Sequence, residues 1–172
     1  PISSITANTP PITLDHHLSD KSNMSGWQAC NLTEINVGRC SGEADFLEAC
    51  RAAAIIGVLQ SSYTDQGYLL SISRQIIERE RLIGVSLTGI YQNPSIGLNE
   101  ALLMRGAEVV KSTAWALCDV LNIPRSSRLT CIKPSGNTSV LGNTSAGAHP
   151  YHSKKYIRRM RVSTLNPVWK YL

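Results

Sequence analysis

The chain has 172 residues, of which 42% are hydrophobic and 17% charged, a balance typical of a globular domain and not of a disordered segment. No stretch approaches 18 consecutive apolar residues, so the sequence predicts no transmembrane helix and no membrane partner. The net charge is +5, and basic residues crowd the last 20 positions; this favours a solvated face or a protein contact over a nucleic-acid site.

The first part of the chain is predicted to hold one strand and one long helix after an irregular start. Residues 1–25 are rich in Ser, Thr, Pro and Asp and are predicted to be irregular and exposed. Residues 32–37 alternate in a strand pattern that Gly38 ends. Ser41 is placed to cap a helix over about 43–61, whose acidic first turn suits a helix N-terminus.

The rest of the chain continues this alternation. Its predicted elements are a short polar helix or turn at 71–81, a buried strand at 82–88, a long helix from Asn99 to about Asn122, a strand at 129–133, a polar loop at 134–147 and a strand at 156–162. Strands that alternate with helices favour a parallel sheet with helical crossovers, so the predicted fold class is α/β. Four strands cannot close a barrel, so the sheet is predicted to be open or to be completed by residues outside the chain.

The cysteines of the chain are Cys30, Cys40, Cys50, Cys118 and Cys131. Their odd number, without a recognisable signal peptide, predicts a cytoplasmic chain with reduced thiols. No CxxC motif occurs and the histidines lack ligand spacing, so no metal site is predicted. Cys50 and Cys118 fall within apolar helical stripes and are predicted to be small buried core residues.

The sharpest local motif is Lys-Pro-Ser-Gly-Asn-Thr-Ser at residues 133–139, directly after a predicted strand. Gly136 permits close approach to the backbone, and amides in such a turn can hold a phosphate without a large basic cluster. The side chains that offer further hydrogen-bond donors are those of Ser135, Asn137, Thr138 and Ser139. The motif lacks the Gly-Lys-[Ser/Thr] ending of a Walker loop, and an ordinary Ser/Gly/Asn turn is the alternative interpretation.

Four segments of the chain carry a family pattern in a fixed order. They are Cys-Asn-Leu-Thr-Glu-Ile-Asn at 30–36, Arg-Leu-Ile-Gly-Val-Ser-Leu-Thr-Gly at 81–89, Pro-Ser-Gly-x-x-Ser followed by Gly-Asn-Thr-Ser-Ala-Gly-Ala-His-Pro within 134–150, and Tyr-Ile-Arg-Arg at 156–159. Together they resemble the C-terminal part of the catalytic barrel of ribonucleotide reductases, nearest to the adenosylcobalamin-dependent class. Asn137 departs from the pattern, because the family usually has Thr there.

The resemblance covers roughly residues 26–165 and implies a fold and an activity. Residues 26–172 would form the C-terminal part of a ten-stranded α/β barrel, incomplete in this chain. The whole enzyme would be an oxidoreductase of deoxyribonucleotide synthesis that replaces the 2′-hydroxyl of a ribonucleotide with hydrogen by thiyl-radical chemistry. Its implied cofactor is adenosylcobalamin. Its implied partners are the remaining segment of the reductase, the ribonucleotide substrate and an external dithiol such as thioredoxin, with no nucleic acid.

The resemblance also implies roles for particular residues. Residues 135–139 correspond to the loop that holds the substrate phosphates. Cys30 corresponds to one of two cysteines that supply electrons and become a disulfide, while the radical cysteine, in an Asn-Pro-Cys-x-Glu motif, would precede residue 1. The second reducing cysteine would also lie outside the chain, so the other four cysteines are predicted to be structural.

The residues near Cys30 leave several questions open. A reducing thiol should lie at the inward-facing end of a strand, and Cys30 begins a predicted strand. Glu34 is interpreted as a structural or surface carboxylate and not as a general base. The sequence does not distinguish a diphosphate from a triphosphate substrate. The alternative functions are a stand-alone nucleotide- or phosphate-binding module without radical chemistry, and a structural fragment that retains no site.

Overall fold

The computed structural model describes residues 2–3, 26–136, 138–157, 159 and 161–171. Its strands are β1 (Ile2–Ser3), β2 (Gly26–Trp27), β3 (Asn31–Asn36) and β4 (Ile83–Thr88). Its helices are α1 (Glu43–Ser61), α2 (Ser71–Glu80), α3 (Pro94–Gly97), α4 (Glu100–Val120) and α5 (Thr138–Leu141). The segment 1–25, predicted to be irregular, lies outside the described residues except for β1, which pairs antiparallel with β2.

The main sheet is parallel and has β4 at its centre. Strands β3 and β4 run in register from Asn31 opposite Ile83. Residues 128–131 run parallel along the other side of β4, where the amide of Cys131 donates to the carbonyl of Val85 at 3.1 Å. The predicted α/β class is therefore confirmed, whereas closure into a ten-stranded barrel stays a prediction.

Helices α1 and α4 cover one face of this sheet and form the core with it. Ile35 and Val85 on the strands are 4% and 5% exposed, and they pack with buried residues of both helices. Gly106 on α4 allows the helices to approach closely, since a Cβ there would lie 2.8 Å from the Cε1 atom of Phe46 on α1. The remaining buried helical residues of this core are Cys50, Ala53, Ala54, Val58, Leu102, Val110, Ala114 and Cys118, which confirms the predicted burial of Cys50 and Cys118.

The two long helices begin and end close to their predicted limits, but one cap differs. Helix α4 follows Asn99, whose side-chain oxygen accepts a hydrogen bond from the Leu102 amide at 3.1 Å. Ser41 was expected to cap α1, yet the N-cap position belongs to Gly42. Ser41 instead donates its amide and hydroxyl to the carboxylate of Asp45, at 2.8 and 3.1 Å. The Ser41 hydroxyl is therefore a donor here, whereas a capping hydroxyl would accept from a helix amide.

The prediction of a strand over 156–162 is wrong for the residues that are described there. Residues 156–157, 159 and 161–162 have irregular backbone. Their alternating sequence pattern lacks a neighbouring strand in the described part of the chain, and an extended backbone forms a sheet only where another strand satisfies its amides and carbonyls. Within the described ranges, no helix is both long and apolar enough to cross a bilayer.

The second face of the sheet is mostly polar. It is formed by the residues that alternate with the core residues, because successive side chains of a strand point to opposite sides. While Ile35, Ile83 and Val85 face the helices, the neighbouring positions turn the other way. We call this surface the polar face and define it by Cys30, Glu34, Asn36, Gly84, Ser86, Thr88, Cys131 and Lys133; it also carries the apolar side chain of Leu32, which lies over Gly84. The strand predicted at 129–133 is not formed as such, because residues 128–131 pair with β4 only through a few hydrogen bonds and one bridge at Thr130. The loop 134–147 follows this segment and lies at the C-terminal end of β4.

Candidate functional site

Cys30 lies immediately before β3, at the position that the sequence predicted. Its thiol is free and partly exposed to solvent. Burial of the sulfur raises the pKa of Cys30 above its usual value of 9.0, and the nearby Cys131 thiol raises it further. Both effects favour the protonated thiol.

Cys131 is the closest cysteine to Cys30, an arrangement that the sequence analysis missed. The two sulfur atoms converge on Gly84, at 3.3 Å for Cys30 and 2.8 Å for Cys131 from the place where a Cβ would lie. Burial raises the pKa of Cys131; the charge of Glu34 also raises it, whereas Lys133 lowers it. The prediction that Cys131 is structural stays a prediction, and its position beside Cys30 was not foreseen.

Strand β4 nevertheless separates the two cysteines. Two strand spacings amount to roughly 10 Å between backbones. Disulfides need Cα atoms within about 7 Å, so Cys30 and Cys131 cannot be joined without movement of the backbone. This geometry agrees with the expectation that a disulfide partner of Cys30 would come from outside the chain.

Glu34 and Lys133 form an ion pair in the middle of the polar face. The Glu34 side chain is only 11% exposed, and its Oε1 atom lies 3.7 Å from the Nζ atom of Lys133. Both carboxylate oxygens are buried and accept no hydrogen bond from the described residues. The interpretation of Glu34 as a surface carboxylate is therefore wrong, and its structural role as the partner of Lys133 is the one that its surroundings favour.

The loop 134–147 contains the predicted phosphate-binding residues, and several of them are engaged within the loop. The amide of Gly136 donates to the carbonyl of Pro134 at 2.6 Å, and that of Thr138 donates to Ser135 at 3.3 Å. The Ser139 hydroxyl donates to the carbonyl of Gly136 at 2.8 Å. These contacts show that the amides of Gly136 and Thr138 are used within the turn itself.

The remaining predicted donors differ in exposure. The Ser135 hydroxyl is buried and donates to the hydroxyl of Thr88 at 3.0 Å. Thr138 is exposed at the start of α5, and Gly136 is exposed with a left-handed backbone, φ +54°. Asn137 lies outside the described residues. The role of residues 135–139 as a phosphate site stays a prediction.

The residues that hold the loop were not identified from the sequence. Thr88 is the last residue of β4, Gln92 lies in the short turn that follows β4, and Asn36 is the last residue of β3. The side-chain amide of Asn36 donates to the carbonyl of Gly142 at 3.0 Å. The Gln92 side-chain oxygen accepts from the Ser145 amide at 3.2 Å and from the Thr144 hydroxyl. They lie at or just beyond the carboxyl ends of parallel strands, where ligands of α/β sheets bind, and this position could have identified them from the sequence.

Comparison with known proteins gives three curated relatives and no matching family profile. A candidate adenosylcobalamin-dependent ribonucleoside-triphosphate reductase of Mycobacterium phage D29 is 27% identical over 154 residues, 81% of this chain and 22% of its own length. The adenosylcobalamin-dependent ribonucleoside-triphosphate reductase of Euglena gracilis is 33% identical over 99 residues, 56% of this chain and 14% of its own length.

The resemblance to adenosylcobalamin-dependent ribonucleotide reductases is confirmed. A third relative, a candidate enzyme of the same description from Dictyostelium discoideum, is 33% identical over 93 residues, 52% of this chain and 12% of its own length. The chain thus spans less than a quarter of the length of each of these reductases. The longest of the three matches covers 81% of the chain.

Neither of two cavities in the described part of the chain is large enough to hold adenosylcobalamin by itself. The cavity lined by Phe46, Leu103 and Ile132 has a volume of about 270 Å³, and the one beside Tyr151 and Tyr156 about 540 Å³. Sites for drug-sized molecules reach roughly 1,000 Å³, and a corrin with its adenosyl group is larger than such a molecule. In the described ranges, no three His, Cys, Asp or Glu side chains converge as metal ligands would.

Proposed function

We propose that the chain is the part of a ribonucleotide reductase that holds the substrate phosphates and supplies one reducing thiol. The observation that carries the proposal is the parallel sheet whose polar face has Cys30 at the start of β3 and the loop 134–147 at the C-terminal end of β4. Ligands of α/β sheets bind at the carboxyl ends of the strands, which supports the loop as the binding region, whereas Cys30 lies at the opposite, amino end of β3. The names of the relatives support a ribonucleoside triphosphate as substrate and adenosylcobalamin as cofactor.

The proposed reaction is reduction at the 2′ carbon of the ribose. The C–O bond to the 2′-hydroxyl breaks, a C–H bond forms, and water leaves. Two thiols supply the two hydrogens and two electrons and become a disulfide, which an external dithiol such as thioredoxin reduces again. Cys30 is one of these thiols, and its partner and the radical cysteine belong to the remaining segment of the reductase.

The phosphate site is proposed at Ser135, Gly136, Asn137, Thr138 and Ser139. The exposed amide-bearing turn at Gly136 and the exposed hydroxyl of Thr138 support it. The amides of Gly136 and Thr138 now donate within the turn, so a bound phosphate would compete with these two contacts. Lys133 lies beside the loop with 30% of its side chain exposed, but its charge is balanced by Glu34 at 3.7 Å, so the proposal depends on the amides and hydroxyls of the turn.

Adenosylcobalamin supplies the radical that starts this chemistry when it is bound to the whole enzyme. None of the roles proposed for the described residues passes through the cofactor, which the rest of the reductase would hold. A cytoplasmic location is part of the proposal and follows from the reduced thiols that the sequence predicts.

The test is turnover by the complete reductase that contains this chain. The enzyme is mixed with adenosylcobalamin, a dithiol and each ribonucleoside triphosphate, and 2′-deoxynucleotide formation is measured by chromatography. Formation of the deoxynucleotide, faster from triphosphates than from diphosphates, is the expected result. Nucleotide binding without any 2′-deoxynucleotide would favour a nucleotide-binding module without radical chemistry and would overturn the proposal.

A further inference from the structure

The hydroxyl of Thr88 connects both ends of the loop 134–147 to the sheet. It donates to the carbonyl of Ser145 at 2.9 Å and accepts from the hydroxyl of Ser135 at 3.0 Å. It also accepts from the amide of Gly147 at 3.1 Å. Residue 135 begins the loop and residues 145 and 147 end it, so one side chain at the end of β4 holds the loop at two distant points of the sequence.

These three hydrogen bonds use the full capacity of the hydroxyl group. A threonine hydroxyl has one donor and two acceptor positions, and all three are occupied. Thr88 is 4% exposed and Ser135 is 5% exposed, so water does not replace the partners easily. Loss of the hydroxyl would leave two buried donors, the Ser135 hydroxyl and the Gly147 amide, without this acceptor, whereas the Ser145 carbonyl would keep its bond from the Gly89 amide.

The two ends of the loop also contact each other directly, at Gly147 and Lys133. Gly147 has a left-handed φ of +55°, and a Cβ there would lie 2.3 Å from the carbonyl oxygen of Lys133. The chain therefore returns at Gly147 to the point where the loop begins. A loop closed in this way has a shape that its anchors determine, and Thr88 is the anchor that contacts both ends.

A second contact lies one turn further along the chain. Gln92 accepts from Ser145 and Thr144 through a single side-chain oxygen. The amide of Gly89 donates to the Ser145 carbonyl at 3.1 Å, beside the bond from Thr88. These contacts reach only the end of the loop, so they cannot fix the position of Ser135 and the turn that follows it.

We propose that Thr88 is a positioning residue of the phosphate loop. Through Ser135 it sets where the turn at Gly136 and Thr138 lies on the polar face, without touching the substrate itself. This inference rests on the proposed function, because it names the residue that orders the phosphate site assigned there. It predicts that the hydroxyl of Thr88 matters for the triphosphate part of the substrate and not for the nucleoside part.

The experiment compares Thr88→Val with Thr88→Ser in the complete reductase. Valine keeps the shape and removes the hydroxyl, whereas serine keeps the hydroxyl. We expect Thr88→Val to raise the KM and the Kd for a ribonucleoside triphosphate about tenfold, which corresponds to about 1.4 kcal/mol. The Kd for the unphosphorylated ribonucleoside and the kcat at saturating substrate should stay within about twofold, and Thr88→Ser should restore the triphosphate Kd.

Thr64→Val is the matched control. Thr64 is also buried, at 8% exposure, and its hydroxyl donates to Glu78 at 3.1 Å, far from the loop. It should lower the melting temperature without changing the triphosphate Kd. An unchanged triphosphate Kd in Thr88→Val, an equal loss of nucleoside affinity, or no restoration by serine would overturn the inference. A wild-type enzyme that binds nucleoside and triphosphate equally well would instead overturn the proposed phosphate site.

Discussion

At the scale of single residues, the surroundings of Cys30 determine which thiols it can reach. Two thiols, Cys30 and Cys131, share the space above one glycine in the central strand. Gly84 has no side chain, and this leaves room for both sulfur atoms over β4. The intervening strand keeps the thiols from forming a disulfide with each other. Cys30 therefore stays available for a partner on another segment.

Substitution of Cys30 tests its proposed reducing role. In the complete reductase, Cys30→Ser should abolish multiple turnover with an external dithiol, because serine cannot form the disulfide that carries the two electrons. The Kd for nucleotide should stay within about twofold, since the phosphate loop does not contact Cys30 in the described structure. Turnover at the wild-type rate in a Cys30→Ser enzyme would falsify the assignment, and Cys50→Ser, which alters the core instead, should mainly lower stability.

Gly84 should tolerate no larger side chain. A Cβ at this position would lie 2.6 Å from Leu32 Cδ2 and 2.8 Å from the sulfur of Cys131. Gly84→Ala should therefore destabilise the protein by about 1–3 kcal/mol and change the rate at which Cys30 reacts with iodoacetamide. Gly67→Ala is the control, because nothing lies within 4 Å of a Cβ there. Equal melting temperatures and equal alkylation rates for the two variants would contradict this account.

The sequence predicted the position of Cys30 but not its neighbours, for a physical reason. Alternation along β3 and β4 shows which residues share a face, because the side-chain period of a strand is two. It does not show the register between strands that are joined by long helical connections. Cys131 and Thr88 gain their contacts only through that register, so neither could be assigned to the site from spacing alone.

At the level of elements, the contact between α1 and α4 explains why the helices were predicted well. Their apolar stripes are long, and Asn99 provides a clear N-cap for α4. The stripes meet at Gly106 and Phe46, where the absence of a side chain on α4 brings the helices together. Short strands gave a weaker signal, and the one predicted at 156–162 is not formed by the described residues because no strand lies beside them.

The burial of Cys50 between these helices predicts a dependence of stability on alkaline pH. Desolvation, with a smaller contribution from Cys40, raises the pKa of Cys50 from 9.0 to about 11. Between these values the unfolded chain loses the proton while the folded protein keeps it, so stability falls as the pH rises. The contribution is complete below pH 9 and is lost by about pH 11. Two pKa units correspond to about 2–3 kcal/mol.

Urea unfolding of the complete reductase between pH 8.5 and about 11 measures this effect. Other groups titrate in the same range, so the comparison is between the wild type and Cys50→Ala. The alanine variant should be less stable at pH 8.5, and the difference between the two proteins should shrink as the pH rises. Parallel stability curves over this range would show that the Cys50 thiol ionises equally in both states.

At the scale of the whole molecule, the described sheet is open on both sides. Strand β3 has β4 on one side, and residues 128–131 have β4 on the other, so both outer edges lack a partner within the described ranges. Ile132 follows the edge formed by residues 128–131, and its side chain is 79% exposed. Together with Phe46 and Leu103 it lines an apolar cavity. Parallel strands are normally covered on both faces and flanked by neighbours. This arrangement is compatible with part of a larger barrel.

We therefore expect the chain alone not to fold as a stable monomer. The helices α1 and α4 cover one face of the sheet. Its two open edges, however, would expose unpaired backbone groups that can pair with other chains. In urea titrations followed by circular dichroism, the isolated chain should show a broad transition or self-association. The same residues within the complete reductase should unfold cooperatively and exchange the β4 amides slowly. A soluble monomer of the chain with a sharp transition at micromolar concentration would argue against its being part of a larger barrel, because the sheet would then be stable without neighbouring strands.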